Sequence, residues 1–73
     1  MSRTYRNTPD GRMARAHDLN TLSVRLASAS MRRGKAMMRG DMKNVDRHGR
    51  HMDKIFDELR EITDASFEEG GAQ

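Results

Sequence analysis

Histidines and carboxylates are the first residues to test for chemistry. His48 and His51 stand three residues apart, with Asp46 and Asp53 beside them. On a helix that spacing brings two side chains toward one face, as in some zinc sites. A third ligand at a matching spacing is missing. His48 falls on the apolar side of its stretch while His51 does not. The expectation is a structural role for both, with no metal and no cofactor. There is no Cys, no Ser and His in a frame fit for nucleophilic attack, and no Gly-rich phosphate loop. Enzymatic activity is not expected.

Charge carries more. Fourteen Lys/Arg stand against eleven Asp/Glu, a net of +3. The total hides a division. Residues 1–39 hold nine Lys/Arg against Asp10 and Asp18, a net of +7, and residues 40–73 hold five against nine acids, a net of −4. Arg32, Arg33, Lys35 and Arg39 collect near the middle of the chain. Lys43, Arg47, Arg50 and Lys54 follow at spacings of four, three and four, which is one face of a helix. Beyond Lys54 that face turns acidic with Asp57, Glu58 and Glu61. Arg3, Tyr5, Arg6 and Arg12 add charge and one ring near the start. Such a patch binds nucleic-acid backbone or an acidic protein surface. The bland reading is a solvated face, paired in part through Asp46–Arg50 and Lys54–Glu58.

Aromatic rings are scarce, and only Tyr5 is placed to stack on a base, so base-specific readout of single strands is not expected. Seven methionines are many for this length. Methionine adapts to irregular or foreign surfaces. Met38, Met42 and Met52 are expected in the core, and Met31 and Met37 at an interface.

Two long helices position these residues. Met38, Met42, Val45, Met52, Phe56 and Leu59 recur at helical spacings, flanked by Ile55 and Ile62, within an arc of about 160°. An amphipathic helix over 41–67 follows, with Asp41 or Asn44 as cap. Residues 12–33 carry a stripe of Leu19, Leu22, Leu26 and Ala29, bordered by Ala16, Ser23, Ala27 and Ser30. Met13, Val24 and Met31 widen its apolar arc to roughly 220°, more than one antiparallel neighbour covers. Thr8-Pro9-Asp10-Gly11 suits either a type I turn or a helix start with Thr8 as cap, and either way helix one begins near residue 10. It either runs through or breaks near 17–20, where Asp18 or Asn20 can cap a fresh start. Gly34 and Gly40 are natural stops.

The expected architecture is all-α. A basic arm covers 1–8, flexible when free; an antiparallel helical hairpin covers 9–67; a disordered acidic tail covers 68–73. Arg12 and Arg15 are expected to meet Asp57, Glu61 or Asp64 at the open end, leaving the turn end basic. A chain of 73 residues with 34% hydrophobic content has a thin core, so a partner or a second copy is expected to add stability. The longest apolar run, Ala36-Met37-Met38, excludes a membrane span and a signal segment. A cytoplasmic protein, or one released from a cytoplasm, is expected.

The opening Met1-Ser2-Arg3-Thr4-Tyr5-Arg6, the length, the Arg-rich chain and the missing Cys look like a small bacteriophage reading frame. In size and general character the chain resembles the small phage-encoded regulators of host RNA polymerase. The resemblance assigns no role to individual residues. It implies binding to bacterial polymerase near the β′ amino terminus and the β flap, weakened σ engagement, inhibited initiation and antitermination, all in the host cytoplasm. The alternative is a dimeric helical hairpin that binds nucleic-acid backbone, similar to small plasmid copy-number regulators. A blander third class is a structural or toxin-like accessory peptide.

Overall fold

A computed structural model describes residues 3–68. Two helices pack antiparallel: α1, Pro9–Met38, and α2, Met42–Thr63. Two short strands, β1 (Thr4–Arg6) and β2 (Ser66–Glu68), pair in parallel and close the open end. The whole hairpin is the crossover between them. The expected helical hairpin is the observed architecture.

Helix α1 is unbroken. Thr8 caps it, its Oγ1 accepting from the Gly11 N–H at 3.1 Å, with Pro9 in the first turn. Asp18 does not start a new helix, because its carboxylate is taken by the Tyr5 hydroxyl at 2.7 Å and by Arg3 at 3.6 Å. Gly34 does not stop α1 either. The stripe Leu22–Ala29 continues at the same spacing to Ala36, which is fully buried, so packing carries the helix past the glycine. Gly40, at φ 70°, makes the turn. Asp41 then caps α2, accepting from the Asn44 N–H and, at 2.6 Å, from its amide Nδ2.

The core is a rotated version of the expected one. Ile55 and Ile62 of α2 pack with Leu22 and Ala29 in one buried cluster, Leu19, Leu26, Met52 and Leu59 partly covered against it, and Ala36 and Val45 are also buried. Met38, Met42 and Phe56, expected in the core, are exposed by 90, 61 and 48%. Ile55 and Ile62 lie seven apart, and they set the contact line that Met42 and Phe56 miss.

The ends also differ from expectation. Helix α2 stops at Thr63, and 66–68 are strand. The arm is ordered from Arg3: the Ser66 N–H donates to the Arg3 carbonyl and the Asn7 N–H to the Glu68 carbonyl, each at 3.1 Å. Tyr5 lies against Phe67, centroids 6.3 Å apart. The predicted Arg12 and Arg15 ion pairs do not form. Arg3 bridges Asp18 and Glu61 instead, Arg15 Nε donates to the Ile62 carbonyl, and Arg12 donates to the Asn7 side chain. Tail residues 69–73 lie outside the described residues.

The principal extents are 57 × 20 × 10 Å. That is one helix thick and two helices wide: a single layer with two broad faces. Among the described residues, no helix is long and apolar enough to cross a membrane.

Candidate functional site

The two faces differ in chemistry. On α2, Lys43, Arg47, Arg50 and Lys54 fall within about 60° of arc. With Asn44 and His51 they line an open groove of about 490 Å³. Arg25 and Arg32 of α1 and Arg39 at its C-cap are spaced by seven and share one flank. The fold turns that flank toward the same side of the layer. Arg25, Ser28 and Arg32 face His48 and His51 across the groove between the helices. A basic face therefore spans both helices over the turn-proximal half of the rod.

Among the described residues, none of these cations lies within ion-pair distance of a carboxylate. Among the described residues the ion pairs join Arg3 to Asp18 and to Glu61. Asp46–Arg50 and Lys54–Glu58, the pairs that would have quieted the face, do not form. Toward the open end the same side turns mixed, where Arg3, Asp18, Arg25 and Glu58 line a smaller groove.

The predicted partner-binding residues thus divide. Arg32, Lys43, Arg47 and Arg50 come together on the basic face, with Arg39 at the cap of α1 above them. Arg33 and Met37 lie toward the opposite face; the Arg33 side chain crosses Gly49. Met31 sits on the outer edge of α1, away from α2, and Lys35, seven residues from Ser28, lies on the outer part of the basic flank. Arg3, Tyr5, Arg6 and Arg12 are at the far end of the rod. Tyr5 is not free to stack on a base, because Phe67 and Asp18 hold it. Burial, then the hydrogen bond to Asp18, pushes its hydroxyl above the ordinary tyrosine value. The Tyr5 hydroxyl in turn raises the Arg3 guanidinium above its usual range.

The sequence reading missed Arg25, His48 and His51 as parts of that surface. The seven-residue repeat Arg25–Arg32–Arg39 was the available signal. No group of three His, Asp or Glu side chains stands together among the described residues. His48 and His51 look onto Arg25 and Arg32, surroundings that repel a cation.

No family model, curated protein or solved structure matches this chain. The functional reading rests on the surface itself.

Proposed function

We propose that the chain acts by binding rather than by catalysis, docking its basic face on an acidic surface of bacterial RNA polymerase. This is the mode implied by the resemblance to phage-encoded transcription regulators. On this reading the protein engages the amino-terminal region of β′ and the β flap, weakens σ and promoter engagement, and promotes read-through of terminators. The supporting observation is the two-helix row Arg25, Arg32, Arg47, Arg50 and Lys54, with no carboxylate within ion-pair distance among the described residues. Unpaired guanidinium groups dock on carboxylates with two parallel hydrogen bonds, and a field of one sign speeds encounter. The face sits on two packed helices, so little ordering is lost on docking.

A second reading follows from the same row. Cations spread over both helices also suit a phosphate backbone, contacted without base readout. Salt separates the two. For about five phosphate contacts, log K for bare RNA or DNA falls with log salt at a slope near −4.5. Under the polymerase reading bare nucleic acid binds weakly, and affinity purification from a bacterial lysate returns a stoichiometric polymerase complex. Run-off transcription then falls when the protein is added before promoter binding. A purified complex lacking polymerase subunits, or transcription unchanged at saturating protein, overturns the first reading.

A further inference from the structure

The side of α1 turned away from α2 carries a second surface, separate from the basic face. Met13, Val24, Met31 and Met38 follow one another at spacings of eleven, seven and seven. That keeps them within about 40° of arc, opposite the buried Leu22 and Ala29. They are 70, 61, 64 and 90% exposed. Within about 60° to either side of this row, residues 13–34 include no Lys, Arg, Asp or Glu. The row runs roughly 37 Å from Met13 to Met38, about seven turns. Methionine is suited to a foreign surface, and nothing inside the chain covers these side chains. We propose that the row is a docking seam for one amphipathic helix of another protein. That helix is apolar on its inner stripe and bears Asp or Glu on the flank beside Arg32, Lys35 and Arg39.

Shape and charge select that occupant. The seam is the edge of the layer and is one helix wide. Val24, Met31 and Met38 repeat every seven residues, the period at which two helices wind about each other in register. Arg32, Lys35 and Arg39 border the seam at its turn end, and none lies within ion-pair distance of a carboxylate among the described residues. Carboxylates on the incoming helix meet them there. A second copy does not supply these groups. Its α1 holds two acids, Asp10 and Asp18, and Asp18 is taken by Tyr5 and Arg3. The outer edge of its α2 carries Asp46, Asp53, Asp57 and Arg60, with no apolar row to lay against the seam. A bilayer surface calls for Trp, Phe or Leu on the buried side. The seam has none of them, and Asn20 and Ala27 within it suit the close approach of a helix instead. The seam is an edge and the basic face a broad side, so the proposal does not rest on the polymerase reading.

The test uses the full chain and a fluorescein-labelled synthetic helix of about 26 residues, the length of the seam. The peptide carries Leu at its inner heptad positions and Glu on one flank. Fluorescence anisotropy is expected to show saturable binding. Val24→Glu with Met31→Glu should weaken it at least about 30-fold. Arg47→Glu with Arg50→Glu, on the basic face, should leave it within about threefold. A twin peptide with Lys in place of Glu should bind at least about tenfold more weakly. A second readout does not depend on the charged variants folding. The chain has no cysteine, so Ala27→Cys places one thiol on the seam and Asp53→Cys one on the outer edge of α2. The Glu peptide should slow maleimide labelling of Ala27→Cys and leave Asp53→Cys at its own rate. Absence of binding by the Glu peptide overturns the proposal. So does binding that the Arg47/Arg50 pair releases and the Val24/Met31 pair does not, which belongs to the basic face. Labelling of Ala27→Cys that slows with protein concentration alone makes a second copy the occupant, and protection by anionic lipid vesicles makes it a bilayer; either result overturns the docked helix.

Discussion

Replacing Gly11 by Ala should destabilise the protein, although the same change at Gly34 in the same helix should stabilise it. Alanine is favoured over glycine inside a helix by about 0.5–1 kcal/mol. At Gly34 an added Cβ meets nothing within 4 Å, so that gain is realised in full. At Gly11 the Cβ would stand 2.8 Å from the Arg6 carbonyl carbon and closer still to its oxygen. Both atoms are backbone, so no rotamer change relieves the clash. Strand β1 must lift from α1. The bonds at risk are Tyr5 to Asp18, Asn7 to Glu68 and Ser66 to Arg3. At about 1 kcal/mol each, their loss outweighs the helix gain and leaves a net cost of about 2 kcal/mol. For a domain of this size 1 kcal/mol moves the melting midpoint by about 4–8 °C. Thermal circular dichroism should show Gly34→Ala raised by a few degrees and Gly11→Ala lowered by roughly 8–16 °C. Tyr5 is the one tyrosine and Trp is absent, so intrinsic fluorescence reports β1 alone. Its emission should change in Gly11→Ala and not in Gly34→Ala. Equal stabilisation by both substitutions, with unchanged Tyr5 emission, would show that β1 does not lie against α1.

Other predictions follow from the same contacts. Tyr5→Phe should cost about 1 kcal/mol at neutral pH by urea titration. The hydroxyl has a raised pKa in the folded state, so its contribution is complete below pH about 10 and fades as pH climbs through the raised value; Tyr5→Phe should remove that part of the alkaline loss, and identical alkaline curves would contradict it. Gly40→Ala should cost about 1–2 kcal/mol, because its φ of 70° is left-handed; no change in the urea midpoint would mean the turn re-forms without it. Arg25→Glu with Arg47→Glu reverses charge on the basic face without touching the core, so partner affinity should fall while the melting curve stays in place. Unchanged affinity would remove that face from the binding model.

Two long amphipathic helices, antiparallel neighbours and a divided charge were legible in the residues alone. Local chemistry determines them. Leu19, Leu22, Leu26 and Ala29 repeat at helical spacing, Thr8-Pro9 and Asp41 cap, and Gly40 supplies the left-handed turn. The exact contact line was not legible, because an apolar arc of 160° holds more side chains than one neighbour can cover. Packing chose Ile55 and Ile62 and turned Met42 and Phe56 outward. The ribbon was hidden for a related reason. Residues 4–6 and 66–68 carry no period of their own, and they are strands only because the hairpin brings them side by side. The surface that carries the functional reading was half visible. Lys43, Arg47, Arg50 and Lys54 share a face on any helix, but Arg25 and Arg32 join them only through the rotation of α1 about its contact with α2. That rotation puts Ala29 and Ala36 of α1 on the buried contact line. It leaves one broad face basic, with Met37, Met42 and Phe56 exposed toward the other.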